Sequence, residues 1–488
     1  GAGATLDAQR LSRVFDIAMG CQLRVVGLTL ANGWHDTYGG TVMMLFMNSI
    51  VLSRCMLVNS SALISGGGIA MSHGSLVLTD GTQIVNARAR FRDGNGGGIV
   101  VFQGDVTING GSVIRGCTAY WAGGLSLAGA ATVLITGKSR FESCSGTGNA
   151  KGTGFSGAFN SIDGVITING GCTFENCTSG QGGVFTTAGN ARVHIDDCTF
   201  TGNSVESGGG VMNVIGGEVV VANSRLLNSY ARADGGAIRV DQSAVLYLRN
   251  CVISNSFSEF IGGAVALHGG MLIISACRID SSIARSKGGM ACVAKGTLLI
   301  HNGTVITNSF AGGYQASGRG GSIAATGLAI VTVHSSRISV SYAQLGGGCF
   351  HLDNVAQLNL SYAIVEGCTV GAAGTGAVAQ TQSGSVAGSL LIATFTEFRQ
   401  HQCDKPIISS PDVTAFQLLL RGTITFTPLF MCNRTALASA AAFPVVIPKS
   451  CGEQYRDLQG APWGVCNLAS ASACSSKPVA GTVLHSLT

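Results

Sequence analysis

Chemistry in this chain would have to come from few residues. Asp and Glu together number only 24 in 488. Splitting a glycosidic bond takes two carboxyl groups facing each other across a groove. The one adjacent acidic pair, Asp196-Asp197 in RVHIDDCTF, falls at a strand-like segment's end, where neighbouring side chains point to opposite faces. His301 in LLIHNG and His334 in VTVHSS occupy equivalent places in successive segments, but two histidines without a third or fourth ligand do not make a metal site. The sequence therefore predicts no catalytic residue, no metal and no cofactor. Sequons for N-glycosylation stand at Asn59, Asn176, Asn302, Asn359 and Asn433.

The 17 cysteines are the other reactive group. Their number suggests an oxidising compartment, and an odd count leaves at least one thiol free or paired with another chain.

These residues sit in a repeating frame. Gly-Gly doublets end at Gly68, Gly98, Gly124, Gly183, Gly210, Gly236, Gly263, Gly289, Gly321 and Gly348, with Gly157 filling the slot between Gly124 and Gly183. The intervals are 30, 26, 33, 26, 27, 26, 27, 26, 32 and 27, a mean of 28. A period of this size marks a repeat architecture. Each period has a short strand after the glycines (GGAIRV, GGAVAL), then a longer apolar strand (EVVVA, AVLYL, MLIIS), then a third short strand ending in Asn or Ser. Three strands with no room for a helix cannot build a βαβ unit. They suit one coil of a right-handed parallel β-helix, an all-β solenoid of about 14 coils. The longer periods carry their extra residues before the glycines, the usual pattern of solenoid insertions.

Stacked coils should align like side chains. Asn32, Asn59, Asn86, Asn176, Asn203, Asn228, Asn255 and Asn308 recur at the end of the third strand and predict a hydrogen-bonded Asn ladder. Asn59 and Asn176 would then point inward, which leaves Asn302, Asn359 and Asn433 as the open glycosylation sites. A second column runs Cys172, Cys198, Ser224, Cys251, Cys277, and a third contains Cys117, Cys144, Cys177, Ser204, Ser229, Ser256, Ser282, Ser309, Ser341 and Cys368. Neighbouring coils lie about 4.8 Å apart. That spacing suits either bridges Cys144–Cys177, Cys172–Cys198 and Cys251–Cys277 or stacks of buried thiols.

The repeat fades near Leu429. Five of the seven prolines lie from Pro428 onward, together with Cys432, Cys451, Cys466 and Cys474. The expected division is a β-helix over 1–428 and a disulfide-pinned cap, or the start of a following module, over 429–488. The N-terminal residues already read as coil strands, without a visible signal peptide, so the expectation is a mature product or a piece of something longer.

Composition narrows the classes. Gly is 72 of 488, Pro only 7, charged residues 11% and hydrophobic residues 46%, with a net charge of +5. Collagen, disorder and long helices are excluded. No Lys/Arg cluster offers a nucleic-acid footprint. No apolar run reaches the roughly 20 residues of a membrane helix.

The tetrapeptides GGAI (Gly235–Ile238), GGAV (Gly262–Val265) and FTGN (Phe200–Asn203) resemble the GGA[ILV] and FxxN repeats of the chlamydial polymorphic outer membrane proteins, surface adhesins of pectin-lyase-like β-helix fold. The resemblance covers about residues 20–380 and implies a secreted or cell-surface rod that is adhesive or structural. It would bind other protein chains, by self-association or in a larger surface assembly, or glycans. The alternative is a polysaccharide lyase or hydrolase of the same fold, although the NTD, GHG and RIK motifs of its hydrolases do not occur.

Overall fold

The computed structural model describes residues 3–17, 20–148, 155–313, 318–382, 389–399, 408–409, 416–421, 423–427 and 482–485. No helix occurs among them. The chain is a parallel β-helix, a β-solenoid of about 14 turns. It packs as two compact units, residues 1–233 with 237–252, and residues 234–236 with 253–488. The region 429–488 expected to form a cap lies outside the described residues, except Thr482–His485, which pairs antiparallel with Thr423–Thr427.

One coil of the first unit shows the plan. Met212–Val214 follows the glycines, Glu218–Ala222 is the long strand, and Arg225–Leu227 with Tyr230–Ala231 closes the coil. Each strand pairs in parallel and in register with its counterpart one coil away, so Val219 lies against Val193 and Leu226 against Phe200. Three sheets result: a glycine-led sheet, a long-strand sheet and a sheet of short closing strands.

Alternation along each strand sends every second side chain inward. In the long strands Val193, Ile195, Val219 and Val221 are almost fully buried. Aromatic columns fill the wider coils. Phe141, Phe174 and Phe200 stack with ring centroids 5.2 and 4.9 Å apart, and Phe159 and Phe185 stack at 4.9 Å.

The glycine doublets have two distinct jobs. The first glycine turns the chain in the left-handed region, as at Gly262 (φ 64°) and Gly288 (φ 66°). The second lies against the next coil. A Cβ on Gly263 would stand 2.0 Å from the carbonyl oxygen of Gly289, and one on Gly289 would stand 2.1 Å from that of Gly321. Register corrects the early part of the repeat. Ile99 pairs with Leu125 and Leu125 with Phe159, so Gly98 and Gly124 align with Ala158, one place beyond the glycine slot. Gly123, not Gly124, aligns with Gly157.

Candidate functional site

The predicted Asn ladder is rearranged. Asn32, Asn59, Asn86, Asn176 and Asn228 in the first unit, and Asn255 and Asn308 in the second, all have φ between 52° and 57°. They share this turn with Gly116, Ser143 and Gly202 in the first unit and Ser281 in the second. Asn is the side chain that best tolerates this conformation after Gly, so turn geometry explains the spacing. Asn32 is half-buried and the other six are exposed, not buried. Along the turn, Asn86 donates to Oδ1 of Asn59 at 3.4 Å, Asn32 to Asp7 at 3.0 Å and Asn308 to Asp280 at 2.8 Å.

Asn203 does not belong to that set. Phe174 pairs with Phe200, which places Gly202 opposite Asn176 and Asn203 opposite Cys177. Asn203 is fully buried. Its Oδ1 accepts from the backbone N–H of Cys177 at 2.9 Å, and its Nδ2 donates to the Phe174 carbonyl at 3.1 Å. Ser204, expected in the Cys column, pairs instead with Thr178.

Apart from Cys368, the cysteines of the two columns are not bridged to one another. Cys144, Cys177, Cys172 and Cys198 are buried and free. Cys251 Sγ donates to the carbonyls of Val221 and Arg249, and Cys277 Sγ to that of Ser275. None of the expected bridges between coils is present. Burial pushes the Cys117 thiol well above its ordinary range and the Cys292 thiol up to about 12. Cys432, Cys451, Cys466 and Cys474 lie outside the described residues.

Among the described residues one disulfide is present, Cys349–Cys368, which lies within one coil with a sequence separation of 19 and Cα atoms 5.3 Å apart. In the preceding coil the same two places hold Ser322 and Ser341, whose hydroxyls are 2.5 Å apart. Thr41 and Ser60, also 19 residues apart, make the matching hydroxyl contact in the first unit.

The glycosylation sequons change order. Asn59 and Asn176 are exposed at their turns, as is Asn302, whose Nδ2 donates to Ser275 at 3.0 Å. Asn359 is half-buried on the long-strand sheet beside Thr332. Asn433 lies outside the described residues.

The two histidines stand in equivalent places one coil apart, just after the paired Ile300 and Val333. His334 Nδ1 contacts Ser361 Oγ at 2.8 Å, and its ring meets Tyr362 edge-on at 5.6 Å. Among the described residues no group of three or more His, Cys, Asp or Glu could hold a metal ion, and no helix is long and apolar enough to cross a membrane. Asp196 accepts from Asn223 Nδ2 at 2.7 Å, and Asn223 in turn accepts from Asn250 at 2.7 Å. This short amide ladder lies at the turn after the long strand and takes in Asp196 of the acidic pair.

Two outer surfaces stand out. The long-strand sheet turns aliphatic side chains outward: Val77, Leu134 and Val165 in the first unit, and Met271, Ile273, Leu299 and Ile330 in the second, of which Val165 and Ile330 are 44% and 40% exposed. A shallow hollow of about 130 Å³ lies on it between Val165, Thr167, Arg192 and Glu218.

The outer side of the glycine-led sheet is covered instead by the residues that precede the glycines. In the first unit this cover is apolar at one end, where Tyr38 and Phe102 pack on Met43, Ala70 and Val100. In the second unit it is polar. Asp234, Ile261, Lys287, Arg319, Gly346 and Thr375 align as a ladder just before the glycines. Facing them are the sheet's outward residues Cys292, Ala324, His351 and Gln380. His268 Nε2 is 3.2 Å from Asp234 Oδ2, and Lys287 Nζ is 4.0 Å from Asp353 Oδ2. His351 is fully buried; its ring nitrogens make no hydrogen bond of ordinary geometry, and the side chain beside them is that of Gln380. Burial, together with the positive charges of Arg319 and Lys287, pulls its pKa down to about 3.

The geometry thus defines a parallel β-helix with a polar seam on one flank. Comparison with protein-family models, with curated proteins and with solved structures finds no match to the chain.

Proposed function

We propose that this chain is a non-enzymatic extracellular scaffold, a building block of a cell-surface appendage or filament of the kind its GGA[ILV] and FxxN tetrapeptides suggest. The observation that carries this reading is the long-strand sheet. Its outward face carries half-exposed aliphatic residues in each unit, such as Leu134 and Val165 in the first and Ile273, Leu299 and Ile330 in the second, interspersed with polar residues such as Thr107, His194 and Thr332, and so offers apolar area for contact with other protein. The disulfide Cys349–Cys368 supports an oxidising location. Exposed sequons at Asn59, Asn176 and Asn302 fit passage through a glycosylating pathway.

Electron microscopy of the native material, labelled with antibody to this chain, tests the reading. Repeating extracellular assemblies are the expected result. Label confined to the cytosol, or release of reducing ends or unsaturated uronates from a polysaccharide panel by the purified chain, would overturn it in favour of an enzyme of this fold.

A further inference from the structure

The polar seam contains a gap in its side-chain column. Lys287, Arg319, Gly346 and Thr375 occupy one slot in successive coils. Gly346 breaks the column because it has no side chain, and His351 is the outward residue of that coil's strand. The carboxamide of Gln380, from the following coil, fills the notch: a Cβ on Gly346 would lie 1.8 Å from Gln380 Oε1. Gln380 Nε2 donates to Thr375 at 2.8 Å, while its Oε1, on the His351 side, makes no hydrogen bond of ordinary geometry.

The groups around the notch are short of acceptors. Arg319 is half-buried and makes no ion pair with a carboxylate among the described residues. Lys287 is held only loosely by Asp353, at 4.0 Å. The buried His351 imidazole has only the Gln380 carboxamide beside its nitrogens, without a hydrogen bond of ordinary geometry, and carries much of the desolvation penalty of those groups. One acceptor bearing negative charge would serve Arg319, Lys287 and one ring N–H of His351.

We propose that the notch over Gly346 is an oxyanion site, in which Arg319 and Lys287 neutralise a carboxylate or sulfate group, His351 donates a ring N–H to it, and the Gln380 side chain swings aside to admit it. The planar guanidinium suits the paired oxygens of such a group. The charged groups facing His351 are Arg319 and Lys287, with Asp353 beside Lys287 as the nearby carboxylate. Binding an anion favours the imidazolium, so affinity rises as pH falls. The site is independent of the scaffold reading: it requires neither surface location nor assembly.

The test is titration of the full chain with sodium sulfate and sodium acetate against sodium chloride at matched ionic strength. The readouts are melting temperature and the imidazole resonances of His351 in histidine-labelled protein, assigned with His351→Gln. Expected are a sulfate- or acetate-specific rise in melting temperature, larger at pH 5 than at pH 8, and an upward move of more than one unit in the His351 titration midpoint. Arg319→Gln should weaken binding at least tenfold, and Gln380→Ala, which empties the notch, should tighten it several-fold. A sulfated oligosaccharide and an oligogalacturonate, tested alongside, separate a free anion from a glycan-borne one. If neither salt differs from chloride, or if the His351 resonances stay put at saturation, the proposal fails. Equal binding by wild type, Arg319→Gln and Gln380→Ala also overturns it.

Discussion

Cys349 and Cys368 close one corner of a single coil, in the place where the preceding coil sets Ser322 against Ser341. Covalent bond and hydroxyl contact are thus two versions of one closure, which joins the residue after the glycines to the residue after the third-strand turn. Removing the bond by Cys349→Ser with Cys368→Ser restores the hydroxyl version. A closed loop of this size contributes about 3 kcal/mol in the chain-entropy account. The double variant should lose up to about that much, and Cys349→Ala with Cys368→Ala should lose more. Denaturant melts of the three proteins check this order.

Asn203 and Asn228 look alike in sequence but answer to different physics. Asn203→Ala removes the buried acceptor of the Cys177 N–H and should cost about 1–3 kcal/mol. Asn228 has φ 53° and is exposed, so Asn228→Leu should cost about 1 kcal/mol for the left-handed turn. Asn228→Gly keeps the left-handed turn and should cost less than Asn228→Leu. A melting series in which Asn228→Gly is as damaging as Asn203→Ala would refute this assignment.

Phe174 sits in the middle of its stack, between Phe141 and Phe200, and touches Phe159 edge-on at 6.0 Å. Phe174→Ala leaves a cavity that parallel strands on three sides cannot collapse. The expected loss is about 3–5 kcal/mol. Phe174→Leu should recover much of it, as measured by unfolding midpoint.

His351 makes stability depend on pH in a definite direction. Its folded pKa is about 3 and its ordinary value 6.5. Between those values the unfolded chain binds the extra proton, so its contribution is complete above pH 6.5 and declines as pH falls toward 3. The slope approaches about 1.4 kcal/mol per pH unit in that window. Carboxylates add their own acid loss, so the informative quantity is the difference between wild type and His351→Gln. That difference should narrow or reverse on acidification from pH 7 to pH 4; parallel pH curves for the two proteins would contradict it.

The period was readable because the second glycine of each doublet has no alternative. At Gly183 or Gly263 a side chain would meet the next coil's carbonyl, so the residue type reports the contact directly. The long strands were readable for a similar reason, their alternating Val, Leu and Ile marking one buried face. The Asn spacing was equally visible but ambiguous. A left-handed turn and an inward amide ladder both favour Asn, and a one-residue step at Gly202-Asn203 separates the two.

The disulfide was hidden because the search for pairs ran between coils. Cys349–Cys368 joins positions 19 residues apart within one coil, which no 27-residue column can reveal. The seam around His351 was invisible for a further reason. Lys287, Arg319 and Gln380 come from three coils and meet only when the residues before the glycines fold back over the sheet.

The contact between Gly263 and Gly289 recurs along the second unit: Gly236 faces Gly263, and Gly321 faces Gly348, each at 2.0 Å. Excising one whole period between such positions would bring two glycines that now lie two coils apart into this same embrace. A single added methyl at either has no such escape. Natural length variants of this molecule should therefore differ by complete periods, while the glycines at the seams stay untouched.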